Sequence, residues 1–446
     1  MIFTQFVDDA LGCASYLVGD ESAGIAAVVD PAFAIEQYLE EAERRGVRLV
    51  RVVETHTHAD HVSGHGRLAL DHGLPVSVHS LAQAEYPHEP MEDGTEIELG
   101  EIVLRCLHTP GHRPEHCCVA VIDRSRGDEP WLVLTGDSLF VGDAARPDLA
   151  VEAREGAEGL FHSLRRLVEL GDGVEVYPGH VAGSLCGKAM SSKASTTVGF
   201  ERRFNPALAF DDVALFVAES AAISTPRPPN MERIVELNRG PFVGAPEPIR
   251  PLNGGGAGAV LDVRPARQFA AGHARGAIGV SVSGGGFATK AAFALPAGER
   301  VVIHAGSDDQ VERAARGLRS VGIFDLAGYL VGPPSEETMP AVELDELDRL
   351  MEAGEVEVVD VREPHERDEG YIPGSRNIPY RLVREWADDL QGGKPVVTIC
   401  TSGSRAVVAA SVLATAGIEA RPVLGAGVED WAERGGDTVS FRRCGT

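Results

Sequence analysis

The sequence predicts an α/β protein: a mixed, layered domain followed by two copies of a smaller α/β domain. Three observations predict it. Apolar runs of strand length alternate with stretches of helical spacing. A dense histidine cluster stands directly after one such apolar run, and single residues of the same chemistry follow three later runs. Beyond position 256, three segments recur at an offset near 100 residues.

The elements follow in chain order. Residues 24–30 and 49–53 read as strands flanking a helix over residues 35–45, where apolar and charged residues fall at helical spacing. Residues 95–99, 102–108 and 117–123 alternate and are separated by Gly turns, as antiparallel strands are. Residues 131–134 and 174–176 are short apolar runs. Amphipathic helices are expected over residues 156–169 and 207–222, the second ending near Pro226. The Pro- and Gly-rich stretch 246–256 reads as a linker. The boundaries are therefore set at residues 1–245, 251–334 and 338–446, with Pro333, Pro334 and Glu336-Glu337 between the two copies.

The histidine cluster is Thr55-His56-Thr57-His58-Ala59-Asp60-His61, and 12 of the 15 histidines lie at or before position 180. Its partners are His112 in Thr109-Pro110-Gly111-His112, Asp137 in Thr135-Gly136-Asp137, and His180 in Tyr177-Pro178-Gly179-His180. Each follows an apolar run and a turn. Loops at strand ends can aim several side chains at one point, and imidazole with carboxylate suits zinc or iron.

In these segments the chain resembles the metallo-β-lactamase superfamily over roughly residues 1–200. The resemblance implies an αββα sandwich with metal at one edge of two packed sheets. It does not choose the reaction, because this fold hosts hydrolases, oxygenases and nucleases.

After the linker, Val260-Leu261-Asp262-Val263-Arg264 matches Val358-Val359-Asp360-Val361-Arg362. Gly272-His273-Ala274-Arg275-Gly276 matches Gly370-Tyr371-Ile372-Pro373-Gly374, and Val301-Val302-Ile303-His304-Ala305 matches Val396-Val397-Thr398-Ile399-Cys400. The second copy carries the loop Cys400-Thr401-Ser402-Gly403-Ser404-Arg405 ahead of a helix-like segment. A cysteine between a strand and a helix N-terminus faces several backbone N–H groups, which suit an anionic sulfur. These motifs resemble the rhodanese family. The resemblance implies parallel sheets and a sulfurtransferase in which Cys400 takes sulfur as a persulfide and Arg405 closes the loop. The first copy has Ala305 and Gln310 at the corresponding positions, with Asp308 and Asp309 between them. It is expected to be inactive and to serve packing, spacing or oligomer contacts.

Two branches of the superfamily compete for the metal chemistry. A persulfide dioxygenase would hold one Fe(II) on His56, His112 and Asp137, leaving positions open for O₂ and the substrate sulfur. His58, Asp60, His61 and His180 would then orient ligands and substrate. A glyoxalase II-like thioester hydrolase would hold two metals, zinc among the options. His56, His58, His112 and Asp137 would bind the first, and Asp60, His61, Asp137 and His180 the second. A sulfur carrier or sensor without catalysis is the third reading.

The oxygenase is favoured for three reasons. The partner module handles sulfane sulfur. The helical glutathione-holding domain of the hydrolases is replaced by the linker and the repeat. The segment around Gly183-Ser184-Leu185-Cys186-Gly187-Lys188 and Ser192-Lys193 resembles that of dioxygenase–rhodanese fusions. The expected substrate is a low-molecular-weight persulfide of glutathione type, giving sulfite and thiol, with sulfite or thiosulfate exchanged at Cys400. Arg146, Lys193, Arg202, Arg203 and Cys186 are candidates to contact it, since Arg and Lys anchor carboxylates. His65 and His116 flank ligand motifs but carry no ligand role in the resemblance.

Composition narrows the partners. A formal charge of −26 argues against nucleic acid and anionic membranes. No apolar run is long enough for a membrane span, and the first residues carry no signal-peptide pattern. Seven cysteines without a CxxC argue against a disulfide framework and for a reducing cytoplasm. A homo-oligomer, dimer or tetramer, is expected from the dead repeat and the family.

Overall fold

The computed structural model describes the chain except residues 9, 182–190, 192, 222–225, 255, 333–335 and 442–446. It divides into two compact units, residues 1–246 with 319–322, and residues 247–318 with 323–446.

The first unit is built on two six-stranded sheets. In one, β1 (Ile2–Val7), β2 (Ala14–Asp20) and β3 (Ile25–Val29) are antiparallel neighbours. Then β4 (Arg48–Val53), β5 (Val76–His79) and β6 (Glu89–Met91) continue in parallel. Helices α1 (Glu36–Arg45) and α2 (His65–His72) supply the crossovers that parallel strands need. The other sheet starts with the antiparallel run β7 (Glu96–Leu99), β8 (Ile102–His108), β9 (Cys117–Asp123) and β10 (Pro130–Gly136). A hairpin of β11 (Leu139–Phe140) and β12 (Asp143–Ala144) and helix α3 (Ala153–Val168) follow. The sheet ends with β13 (Glu175–Pro178), parallel to β10, and β14 (Thr196–Thr197).

Side chains alternate across each strand. Cys106, Cys117, Val119 and Leu134 pack between the sheets against Tyr16, Val18, Val29 and Val53. Cys118, Ala120 and Val133 face outward onto Leu160, Leu164 and Leu167 of α3. Leu17, Val28 and Val52 face Tyr38, Ala42 and Leu68 on the opposite outer layer. Helix, sheet, sheet and helix thus form the αββα sandwich. With both faces covered, β2 and β9 are buried at every residue.

The unit continues through α4 (Val198–Phe204), α5 (Val213–Ala221) and α6 (Met231–Arg239). The helix expected over residues 207–222 is shorter and starts later. Asn205 caps a 3-10 turn at Pro206–Leu208, accepting from the Ala207 N–H, and the Asp212 carboxylate accepts from the Leu215 N–H to start α5. Two capping side chains, at 205 and 212, interrupt what apolar spacing alone reads as one helix.

The second unit contains two four-stranded parallel sheets of the same order. The first holds β15 (Ala259–Asp262), α7 (Ala266–Ala271), β16 (Ile278–Gly279), α8 (Phe287–Ala294), β17 (Val301–Ala305), α9 (Asp308–Ser320) and β18 (Leu326–Val331). The second holds α10 (Leu344–Glu352), β19 (Glu357–Asp360), α11 (Pro364–Glu369), β20 (Arg376–Asn377), α12 (Ala387–Leu390), β21 (Val396–Ile399), α13 (Ser404–Thr415), β22 (Ala420–Pro422) and α14 (Val428–Glu433). The repeated Asp-Val-Arg motif has one structural job in both. Arg264 pairs with buried Asp262 (2.6 Å) and donates to the Gly272 carbonyl (2.6 Å). Arg362 pairs with buried Asp360 (2.8 Å) and donates to the Gly370 carbonyl (2.7 Å).

The repeats, read from sequence as separate domains, share one core. Leu261, Val263, Phe269 and Ala291 belong to the same apolar cluster as Val359, Val361, Val407 and Leu413. This is why Ala406–Leu413 of α13 is buried all round, with no solvent face, and apolar but for Ser411. Among the described residues, no helix is long and apolar enough to cross a membrane.

Candidate functional sites

The metal-ligand residues stand at one edge of the sandwich because β4, β8, β10 and β13 all end there. His56, His112 and Asp137 offer ligand atoms within 4.8 Å of one another, and all three are buried. His56 Nε2 lies 3.9 Å and His112 Nε2 3.5 Å from Asp137 Oδ2.

The ring orientations follow from their other hydrogen bonds. The Thr55 hydroxyl donates to Asp30 Oδ2 (2.8 Å), so its oxygen accepts from His56 Nδ1 (2.9 Å). His112 Nδ1 donates to the Arg146 carbonyl (3.1 Å). Both rings therefore turn an unprotonated Nε2 toward Asp137, the tautomer a metal requires. Burial, with neighbouring imidazoles, keeps His56 well below the usual histidine range, and burial lowers His112 against the opposing pull of Asp137. Burial alone would raise the Asp137 carboxyl, but His180 and His112 hold it below the ordinary carboxylate range.

His56 Nε2 and Asp137 Oδ2 are fully buried and have no hydrogen-bond partner. Orphaned atoms at this depth cost of the order of 1–3 kcal/mol each. With the His112 nitrogen beside them, these two imidazole nitrogens and a carboxylate oxygen converge as a donor set that fits one iron or zinc ion.

The next cluster is different in kind. Cys13, from the turn before β2, donates its thiol to Asp60 Oδ2 (3.3 Å), 3.5 Å from His61 Nδ1 and 3.3 Å from His180 Nε2. His180 bridges Asp137 Oδ1 (2.7 Å) and Asp60 Oδ2 (2.8 Å). Burial, then the Asp60 charge, pushes the Cys13 thiol up, so sulfur enters this cluster protonated. These groups satisfy one another.

His58 joins neither cluster. It faces Asp30 (3.3 Å) and Glu54 (3.2 Å). Burial would lower its ring, yet the two carboxylates raise it well above the ordinary value. His58 is thus grouped with Asp30 and Glu54, a further buried set whose ligand atoms lie within 4.8 Å of one another, and its ring is turned away from the set formed by His56, His112 and Asp137. Glu54 also accepts from Ser63 and faces His65 at 3.0 Å.

Several groups that build the site carried no motif. Asp30 adopts a left-handed backbone (φ 50°), strained for a residue with a side chain, and accepts from the Thr55 N–H (2.7 Å). His116 Nδ1 donates to the Thr109 carbonyl (3.0 Å) while Nε2 accepts from the Asp137 N–H (3.0 Å). Burial lowers its pKa to about 3, so it remains neutral and fixes the Asp137 backbone. Gly136 has φ 46°, and a Cβ there would lie 2.7 Å from Thr55 Oγ1 and 2.8 Å from His116 Nε2. Asn238 on α6 accepts from the Ser63 N–H (2.9 Å) and donates to the carbonyls of His58 (2.9 Å) and His61 (2.8 Å).

Asn238 thus clamps the histidine loop from a helix 175 or more residues away in sequence. Asn238→Ala is expected to orphan one buried N–H and two carbonyls, costing about 2–4 kcal/mol, and to weaken metal retention by about 10–100-fold. Chelator competition and thermal melting of the variant measure both.

The proposed substrate contacts are placed as follows. Arg146 is buried, with its guanidinium on both oxygens of Asp148 (2.7 and 2.8 Å) and on the Pro226 carbonyl (2.6 Å). Its contribution to the site is the carbonyl that orients His112. Arg202 is exposed and pairs with Asp172 (2.6 Å). Lys193 is exposed over the Phe200 ring, and Arg203 lies over Phe204. Cys186 lies outside the described residues.

In the second unit, Cys400 follows β21 and is fully buried. Its Sγ accepts from the Gly403 N–H at 3.1 Å, one residue before α13 starts. Gly403 has φ 93°, and a Cβ there would lie 2.9 Å from the Val423 carbonyl oxygen and Leu424 Cα. Gly403 thus lets the loop run close to the Val423–Leu424 backbone, and its N–H is the loop group that meets the sulfur, with Thr401, Ser402 and Ser404 on either side of it. Arg405 holds Glu366 through two bonds (2.6 and 2.7 Å) and Thr401 Oγ1 through a third (3.0 Å). An N–H donor and a helix N-terminus stabilise negative charge developing on sulfur. In the first repeat Ala305 replaces the thiol, and Gln310 closes the loop on the Gly306 N–H (2.8 Å).

Comparison with known proteins places both units. Residues 8–180 match the metallo-β-lactamase superfamily and residues 343–434 the rhodanese-like domain. The mitochondrial persulfide dioxygenase ETHE1 of Homo sapiens is 30% identical over 229 residues, covering 50% of this chain and 82% of the relative. A probable polyketide biosynthesis zinc-dependent hydrolase, BaeB of Bacillus velezensis, is 27% identical over 192 residues, covering 42% of this chain and 80% of that protein. The crystal structure of a metallo-β-lactamase from Staphylococcus aureus subsp. aureus COL is similar at 28% identity and a TM-score of 0.68, covering 74% of this chain and 98% of that one.

Proposed function

We propose two linked sulfur reactions for this chain, which belongs to the persulfide dioxygenase family of the metallo-β-lactamase superfamily and ends in a rhodanese-like domain. In the first, a low-molecular-weight persulfide of glutathione type, O₂ and water give the thiol, sulfite and two protons. In the second, Cys400 accepts a sulfane sulfur and passes it on, exchanging persulfide, sulfite and thiosulfate. We place both in the cytoplasm, in a homo-oligomer.

One observation carries the first reaction. His56 Nε2 and Asp137 Oδ2 are orphaned and converge with His112, whereas Asp60, His61 and His180 are already bonded among themselves and to Cys13. Among the described residues Glu54 and His58 also have orphaned atoms, but there the ring is raised by two carboxylates and forms a charged pair with them instead of offering a neutral nitrogen. Ferrous iron held by His56, His112 and Asp137 would supply open positions for O₂ and the substrate sulfur. The residues around it divide the remaining work. Thr55 and the Arg146 carbonyl fix the two rings, His116 holds the Asp137 backbone, and His180 keeps the Asp137 carboxylate ionised. The Asp60–His180–Cys13 group adjoins the ligand set through the His180–Asp137 hydrogen bond and can take up a proton released there.

The two-metal hydrolase reading needs Asp60, His61 and His180 as ligands, and it would have to break each of these bonds and displace the Cys13 thiol. Anaerobic purification is expected to give about one iron per chain, with O₂ uptake on glutathione persulfide and no thioester hydrolysis. Two zinc ions per chain, with turnover indifferent to air, would overturn the oxygenase.

A further inference from the structure

The first repeat has no thiol, yet one of its helices lies against the helix that follows the Cys400 loop. Helix α8 packs on α13 and on the 3-10 turn at Tyr380–Leu382. Phe293 meets the Tyr380 ring edge-on at 6.0 Å, and Arg384 donates to the Ala294 carbonyl (2.6 Å). The Gly279 N–H donates to Ser411 Oγ on α13 (3.1 Å). Lys290 stands three and four residues before Phe293 and Ala294, so all three share one helix face.

Lys290 is within Coulomb range of both Cys400 and Arg405, and it is partly buried. Its ammonium donates to the Gly285 carbonyl (2.6 Å), which leaves two N–H groups for other acceptors. Among the described residues no carboxylate pairs with it. The charge of Arg405, by contrast, is already met by Glu366.

We propose that Lys290, carried by the thiol-less repeat, is the cation that receives the anionic end of the sulfur donor or acceptor at Cys400, a small sulfur oxyanion such as thiosulfate or sulfite. The inference rests on Cys400 being the sulfur carrier. In the transfer, the Cys400 sulfur attacks the sulfane sulfur of thiosulfate, a new S–S bond forms, the old one breaks, and sulfite leaves with the electron pair. Lys290 holds that departing anion. The inactive repeat is then part of the active site.

The test compares alkylation of Cys400 by anionic iodoacetate and neutral iodoacetamide in the full-length protein, read on the Cys400 peptide by mass spectrometry. Lys290→Gln is expected to lower the iodoacetate-to-iodoacetamide rate ratio by about 10-fold, and Lys290→Arg to keep it. The KM for thiosulfate in a cyanide-acceptor assay is expected to rise by a similar factor in Lys290→Gln alone. An unchanged ratio overturns the assignment. A lowered ratio in a protein that transfers no sulfur even as wild type keeps the anion site and removes the sulfurtransferase reading. If Lys290→Gln fails to fold, the wild type decides. An iodoacetate rate that falls with salt while the iodoacetamide rate holds supports the cation, and two flat profiles overturn it.

Discussion

Replacing Cys400 by serine is expected to abolish sulfur transfer while leaving persulfide-dependent O₂ uptake within about twofold of wild type. The change is nearly isosteric, and a serine Oγ can accept the Gly403 N–H that now meets Sγ at 3.1 Å. The fold around the loop is therefore retained. What is lost is chemical: a hydroxyl oxygen is a poor nucleophile toward sulfane sulfur and cannot carry it as a persulfide. Removing the nucleophile of a covalent mechanism leaves only background, so a fall of at least about 10³-fold is expected. Thiosulfate–cyanide turnover measures the loss. Mass spectrometry of the thiosulfate-treated protein adds a second readout, a one-sulfur increment present in wild type and missing from Cys400→Ser. Loss of O₂ uptake in the same variant would contradict the two-site reading.

His112→Ala has the opposite signature. It removes one of three ligand atoms together with the ring that donates to the Arg146 carbonyl, and it opens a void among buried side chains. Metal retention and persulfide-dependent O₂ uptake are both expected to fall by more than ~100-fold, beyond the range for losing an orienting group. Sulfur transfer at Cys400 is expected to persist. Asp137→Asn is the sharper companion, since it keeps the shape and removes the charge that His180 and His112 hold in place. If His112→Ala retained both its metal and its O₂ uptake, the ligand set would be wrong.

Much of this architecture was legible because it is local. A strand announces itself by apolar residues, and a ligand at a strand end needs only to follow the run by a turn. The strands ending before His56, His112, Asp137 and His180 therefore stand close to where the pattern put them, and β8 and β9 coincide with it. The duplication was legible for the same reason, since equal loops and equal strands need equal residues. The break between residues 208 and 213 was not read, because Asn205 and Asp212 look like ordinary polar residues until their side chains are seen to accept backbone N–H groups.

The sequence alone determined which residues arrive at the edge of the sandwich, which repeat holds the thiol, and that two modules follow one another. Only the tertiary structure decided how the arriving residues group. It turned His58 onto Asp30 and Glu54, brought Cys13 to His180 across 167 positions, set Asn238 under the histidine loop, and merged the two repeats around α13. The physical reason is distance along the chain. Backbone conformation and apolar period act over a few residues, whereas side-chain direction at a shared edge depends on strands and helices packed from far-separated segments.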